Sequence, residues 1–493
     1  MSEYILVIDE GTTSTRAIAF DRELRAHASA QEEIPLSFPK DGWVEQDAEQ
    51  IWSCTLAVCR KVIEQCGGAV NIAAIGITNQ RETTLIWDKD TGEPFGPAII
   101  WQDRRTQSAC QTLKDAGHES VVRSLTGLLL DPYFSATKVR WLLDNHPAAK
   151  SAADAGRAAF GTVDSFLLAR LTSGREHATD VTNASRTALM DLSASSWSEH
   201  LCKVFDVPWS ILPFISSSGG EFGHTDRELF GREIPILSII GDQQAALVGQ
   251  ACTRPGEAKI TYGTGAFLVA NTGTDILMSE HRLLATTAYQ AQGRTHWALE
   301  GSIFNAGNVV KWLRDELQLI SSAADTEAMA AGLEDNGGVY FVPAFTGLGA
   351  PHWAPNARGA IYGITRDTGP ADFVRAALES VAYQTHDLFT AIARDGIPVS
   401  VVRVDGGMTA NDWLMQFLAD IIDLPVDRPV VRETTALGAA MLALMHSDSS
   451  ITLDDIAGRW QRDAGFAPKM DAALRSDLVA GWDLAMRRTL TGC

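Results

Sequence analysis

Residues 4–21 read YILVIDEGTTSTRAIAFD, and this stretch decides the fold class. An apolar run, a small polar centre and a second apolar run predict strand, tight Gly-Thr turn, strand. Next, AEQIWSCTLAVCRKVIEQCG (48–67) places apolar residues at helical spacing and closes on a glycine. NIAAIGIT (71–78) reads as a buried strand, and TTLIWDKDTGEPFGPAIIWQD (83–103) as two strands around a DTG turn. Alternating strands and helices imply an α/β domain.

The pattern restarts near residue 245. GEAKITYGTGAFLVANTG (256–273) is again strand, Gly-Thr turn, strand, a loose echo of the first hairpin. VSVVRVDGGMTANDWLMQFLADI (399–421) adds strand, Gly-Gly turn and amphipathic helix. The restart divides the chain into 1–248 and 249–493. A chain of 493 residues is too long for one core, so two domains are expected and three are admissible.

Composition excludes some functions. With 45% hydrophobic and 21% charged residues the chain is globular. A formal net charge of −20 argues against nucleic acid or an anionic membrane as main partner. The seven cysteines (54, 59, 66, 110, 202, 252 and 493) include no C-x-x-C pair, which fits reduced cytoplasmic thiols. The start MSEYILVIDEG reads as a first strand and not a signal peptide, and no apolar run approaches a membrane span.

Three Gly-Thr or Gly-Gly turns after strands suit a nucleotide phosphate, because glycine lets backbone N–H groups approach and threonine adds small donors. Any one alone is an ordinary turn. The chain has no G-x-x-x-x-G-K-[ST] and no G-x-G-x-x-G opening a helix, which disfavours P-loop NTPases and dinucleotide dehydrogenases. Asp9 (VIDEGT) and Asp242 (SIIGDQQAA) each end an apolar strand. They read either as helix caps or as a metal-side carboxylate and a proton acceptor, the two roles needed when a hydroxyl attacks a γ-phosphate. In TNQRETT (78–84), Arg81 and Glu82 are either a surface ion pair or two halves of a clamp that donates to and accepts from a hydroxyl.

These stretches join an ordered series that includes GWVEQDAEQIW, IAAIGITNQRETTLIW, AIIWQDRRT, TGLLLDPYFSATKVRWLL, TDVTNASRT, GDQQAALVGQ, VPAFTGLGAPHW and RVDGGMTANDWLMQF. Over roughly residues 4–445 the chain resembles the FGGY carbohydrate kinase family, and ITNQRETT with WQDRRT points to its glycerol-phosphorylating branch. The resemblance implies two actin-like (ribonuclease H-like) α/β domains facing each other across a cleft, with ATP and polyol between them. It implies transfer from ATP to glycerol, giving sn-glycerol 3-phosphate, in a cytoplasmic homodimer or homotetramer. Arg81, Glu82, Tyr133, Asp242 and Gln243 would hold the hydroxyls, with Trp101 and Phe267 against the carbons and Asp242 as base. Thr12, Thr13, Ser14, Arg16 and Thr264 would reach the phosphates. Gly307, Lys311, Gly407 and Asn411 would line the adenosine side, and Asp9 would serve Mg²⁺ through water.

Three positions depart from the pattern. Glu10 stands where glutamine is frequent and is expected to add negative charge beside the phosphate loop. Asp103 replaces a frequent cysteine, and Lys311 a glutamine. Other readings are a kinase for another short polyol or sugar, or a nucleotide-driven switch of the same superfamily. A switch has no use for Arg81, Glu82, Tyr133 and Gln243 together.

Overall fold

The computed structural model describes residues 3–491. Cys493 lies outside them; the six described cysteines are free thiols. Among the described residues no helix is long and apolar enough to cross a membrane.

The opening hairpin is β1 (Tyr4–Glu10) and β2 (Ser14–Phe20), paired antiparallel with Asp9 opposite Arg16. β3 (Ala26–Glu33) extends it, α1 (Ala48–Gln65) covers one face, and β4 (Ile72–Asn79) and β5 (Ile236–Gly241) add in parallel on the other side of β1. The five-stranded order is β3-β2-β1-β4-β5.

The second half repeats this order. β6 (Glu257–Tyr262) and β7 (Ala266–Gly273) form the hairpin, flanked by β8 (Leu284–Ala291) and β9 (Arg294–Ile303). α2 (Asp242–Gly249) precedes them, and α3 (Pro370–Arg394) leads to β10 (Val401–Asp405). Then follow α4 (Asp412–Ile422), β11 (Val426–Pro429), α5 (Thr434–Ser447) and the edge strand β12 (Arg462–Phe466). The sheet runs β8-β9-β7-β6-β10-β11-β12, so β9-β7-β6-β10-β11 matches β3-β2-β1-β4-β5 in order and direction.

Where the second half has a 3₁₀ turn (Gly407–Ala410) and α4 between its parallel strands, the first half inserts residues 80–235. The strands expected around DTG lie there, as Leu85–Asp88 and Ala98–Ile99, and the chain folds back antiparallel between them, bridging Thr84 to Ile99 and Trp87 to Pro94, though in isolated bridges and not one continuous ladder. The first pairs with Ala158–Gly161 and the second with Glu45–Gln46. Pro94 and Pro97 between them lack the N–H a continuous ladder needs.

α2 and α5 cross between the sheets. A Cβ on Gly249 would lie 1.9 Å from the Thr434 carbonyl oxygen, and one on Gly438 would lie 1.9 Å from that of Ala245. Only glycine permits this backbone-to-backbone contact. Around it Ile5, Val7, Ile240, Leu247, Val269 and Met441 form a buried cluster shared by both halves.

Candidate active site

Two cavities open in the cleft. One of about 190 Å³ is lined by Arg81, Glu82, Trp101, Tyr133, Asp242, Gln243 and Phe267, with Thr12 at its edge. The other, of about 460 Å³, is lined by Gly307, Lys311, Gly407 and Asn411. They share Gly263 and Thr264, the turn between β6 and β7.

Arg81 and Glu82 leave the end of β4 in a tight turn. Glu82 takes the left-handed φ of 61°, and the Thr83 N–H donates to the Arg81 carbonyl at 2.8 Å. Both side chains are buried, so they are no surface pair. Nor are they each other's hydrogen-bond partners. Arg81 makes two bonds to the Glu300 carboxylate, 2.5 Å from Nη1 and 3.0 Å from Nη2; it reaches Gln244 at 3.1 Å, and its Nε stands 3.1 Å from Asp242 Oδ1. Glu82 Oε1 accepts from Arg186 Nε at 2.7 Å, and Arg186 Nη2 donates to Glu300 Oε1 at 3.0 Å.

Two buried arginines and two buried glutamates therefore close a neutral network, with Glu300 from β9 joining both arginines of the first half. Burial works against the Glu300 charge, but Arg186 and Arg81 hold its acid down to about 2. For Glu82 burial outweighs its arginines and raises the acid. Sequence reasoning missed Glu300 and Arg186 as site residues. The available signal was an isolated charge inside an apolar run, as in ALEGSI (298–303).

Trp101 stands edge-on to Tyr133 at 5.6 Å and to Phe267 at 5.8 Å between ring centroids, making an aromatic corner. Its indole N–H donates to Thr12 Oγ1 at 2.9 Å, tying that corner to the first Gly-Thr turn.

Asp242 is the first residue of α2. The cap position belongs to Gly241, whose N–H donates to Thr182 Oγ1 at 2.8 Å. The Asp242 carboxylate accepts from the Gln243 N–H at 2.7 Å and from Gln243 Nε2 at 3.1 Å, while Gln243 Oε1 accepts from the buried Lys259 ammonium.

In the larger cavity Gly307 is held by close packing: a Cβ there would sit 2.5 Å from the Gly263 carbonyl oxygen. A Cβ on Gly407 would meet no atom within 4 Å. Asn411 caps α4, accepting from the Leu414 N–H at 2.8 Å. Thr326, Arg314 and Met408 also line this space and were not anticipated from sequence.

Thr13, Ser14 and Arg16 line neither cavity. Thr13 is exposed in the first turn and Ser14 opens β2. Arg16 bonds to Gln31 at 2.7 and 3.0 Å and pairs with Glu433, the residue before α5. Asp9 is half-buried across the ladder from Arg16. Burial pushes its acid up to about 7; Arg16 opposes this, and Asp242 and Glu433 reinforce it. A carboxylate beside the first Gly-Thr turn is the kind of oxygen donor that a hard divalent cation takes. No group of three potential metal-ligating side chains occurs among the described residues. An ion such as Mg²⁺ takes one or two carboxylates and completes its shell with phosphate and water.

The expectation that Glu10 adds charge is corrected. The residue is fully buried, Thr55 Oγ1 donates to Oε2 at 3.2 Å, and Oε1 has no partner. Burial pushes the acid up to about 8, so at neutral pH it is chiefly an uncharged group. Asp103 is structural: it grips Arg105 at 2.7–2.9 Å, and that guanidinium stacks 3.8 Å from the Trp43 ring.

Residues 4–249 match the N-terminal domain of the FGGY family of carbohydrate kinases, and residues 258–447 match its C-terminal domain. The chain belongs to this family. A Rhodospirillum centenum protein named glycerol kinase is 55% identical over 490 residues, covering 99% of this chain and 98% of its own. Pseudomonas aeruginosa glycerol kinase 1 is 54% identical over 489 residues, covering 99% of each. The crystal structure of Plasmodium falciparum glycerol kinase with ADP superposes with a TM-score of 0.93 at 38% identity, over 99% of this chain and 98% of that one. Gluconate kinase from Lactobacillus acidophilus, at 22% identity over 98% of each chain and a TM-score of 0.89, shows the shared fold alone. The fold of this FGGY kinase is thus the two-domain, actin-like ATPase fold that the family resemblance implied.

Proposed function

We propose that this FGGY kinase transfers the γ-phosphoryl group of ATP to a terminal hydroxyl of glycerol, giving sn-glycerol 3-phosphate and ADP. The observation that carries the reading is the 190 Å³ cavity, where the expected polyol residues meet around Asp242 and adjoin the larger cavity at Gly263–Thr264. That volume lies below the range of about 300–1,000 Å³ common for ligand sites, which favours a three-carbon substrate over a sugar. Relatives at 54–55% identity named glycerol kinase support the same substrate.

The clamp follows from valence. A guanidinium has five N–H bonds. Gln244 and Glu300 engage three of those on Arg81, Asp242 lies 3.1 Å from Nε as an ion pair, one N–H on Nη2 is left, and Arg186 engages only Oε1 of Glu82. A hydroxyl of glycerol would accept from the one and donate to Glu82 Oε2. Trp101 and Phe267 would cover the carbons. Asp242 would take the proton of the terminal hydroxyl as its oxygen bonds to the γ-phosphorus and the bond to the β–γ bridging oxygen breaks, releasing ADP. Asp9 would hold Mg²⁺ through water, and the ion would offset charge on the phosphates. Arg16 would exchange Glu433 for a phosphate oxygen, with Thr12, Thr13, Ser14 and Thr264 donating around it.

Domains divided at 248/249, cytoplasmic residence and a homodimer or homotetramer belong to the same reading, carried by the family resemblance; sedimentation tests the last. The central experiment is coupled ADP release over three- to six-carbon polyols. Glycerol should give the highest kcat/KM, with turnover lacking polyol a small fraction of it. Equal ADP release with and without polyol would favour the nucleotide switch.

A further inference from the structure

We infer that Lys259 is a positioning residue for the base, fixing the Gln243 amide so that its NH₂ group faces Asp242. The inference rests on the proposed kinase reaction, in which Asp242 takes the proton.

Lys259 sits in the middle of β6, fully buried, in register with Val269 of β7 and Arg403 of β10. Its ammonium donates to Gln243 Oε1 and, at 2.9 Å, to Thr261 Oγ1. An ammonium carries three donors and no acceptor, whereas an amide carries both and is free to turn either end. A donor-only partner removes that freedom: the Gln243 oxygen must face Lys259, so the NH₂ group must face Asp242. It does, with Nε2 3.1 Å from Oδ2. With the Gln243 N–H at 2.7 Å and Arg81 Nε at 3.1 Å, both on Oδ1, the carboxylate is held at both oxygens. Turning the amide over would set its carbonyl oxygen against Asp242 and rotate the base away from the cavity.

A buried ammonium is expensive to desolvate, and an apolar side chain would fill the same strand position at less cost. Burial has brought the Lys259 ammonium down to about 8, against the carboxylates of Asp405, Asp242 and Glu300 and alongside Arg81. Its two hydrogen bonds both serve residues on the wall of the small cavity, Gln243 and Thr261. The charge has been kept where it orients the site.

The test is Lys259→Met, which keeps length and removes the donor, measured beside Gln243→Met and the double variant by glycerol-dependent ADP release. The expected result is a ten- to hundredfold fall in kcat for Lys259→Met, with KM for glycerol and ATP within about threefold of wild type. In the Gln243→Met background the lysine change should cost less than about twofold, because its target is gone. Equal losses in both backgrounds overturn the inference and leave Lys259 a fold-stabilising charge. Gln243→Glu is the second variant, needing no change at Lys259: it keeps the bond to the ammonium but turns an acceptor toward Asp242. It should lower kcat and move the acidic limb of the kcat–pH profile upward; a change in KM alone overturns the inference. Wild-type protein that releases no polyol-dependent ADP would instead overturn the kinase reading, and the inference with it.

Discussion

The smaller cavity is walled by charges already paired with one another, Arg81 with Glu300 and Glu82 with Arg186, whereas the larger joins glycine backbone and a helix cap to apolar side chains such as Met408 and Leu414, with Lys311 and Arg314 beside them. The first selects by direction. Arg81 is held by Glu300 and Gln244 and Glu82 by Arg186, so few donor and acceptor positions stay free and a ligand must bring a hydroxyl to a fixed point. The second selects by room, since any added side chain subtracts from the space. A kinase for a small neutral substrate needs the first kind of wall, because glycerol offers neither charge nor bulk to grip. For the nucleotide proposed to occupy the second, the flat, stiff adenine ring makes a well-shaped space sufficient.

The difference is broken most severely at the base. Asp242→Asn keeps size and removes the proton acceptor, so kcat should fall roughly 10²–10⁴-fold, about 3–5 kcal/mol. ADP binding by calorimetry should hardly change. A variant retaining more than a tenth of wild-type turnover would leave Asp242 a helix-terminal residue only.

Arg81→Ala tests the directional wall. It removes the donor meant for the hydroxyl and leaves Glu300 with Arg186 alone, so KM for glycerol should rise about ten- to hundredfold, and Tm should fall as well. An unchanged KM would dismantle the clamp. Gly407→Ala tests the other wall. With no atom within 4 Å of the new Cβ, the fold should be untouched and Tm should match wild type, while ADP affinity drops several-fold and glycerol KM stays put. Gly307→Ala should lower Tm as well, because its Cβ meets the Gly263 backbone at 2.5 Å.

The mildest test lies behind both walls, at Glu10. Its folded acid stands at about 8 against an ordinary 4.5, so the neutral form is favoured in the fold. Stability from this group is full below about 4.5 and is lost as pH rises toward 8. Glu10→Gln should remove that loss, with a Tm gain larger at pH 8 than at pH 5. A gain independent of pH would mean that Glu10 is ionised throughout.

The hairpins were legible because they are written in short-range pattern: an apolar strand, a Gly-Thr turn and another strand occupy under twenty consecutive residues. That pattern also gave the two halves, whose shared strand order survives although their residues agree only loosely. The chemistry of Arg81 and Glu82 was visible too, but their partners were not. Glu300 lies 219 residues from Arg81 and Arg186 lies 104 from Glu82, and no local pattern pairs charges across that distance. The strands flanking DTG and the fold-back between them were legible, but their regular ladders with Ala158–Gly161 and Glu45–Gln46 were not, because distant edges decide that pairing. Glu10 was read as a charge because sequence carries no dielectric.

The glycine crossing of α2 and α5 has a mechanical consequence. Helices that meet through interlocking side chains must unmesh to turn, but two rods touching backbone to backbone can swivel about the point of contact. Displacement then scales with lever arm. Asp242 lies seven residues from Gly249, an arm of about 10 Å, so a swivel of a few degrees carries its carboxylate less than about 1 Å. Asp242, the proposed base, is mounted close to the axle, where any swivel would disturb its aim least.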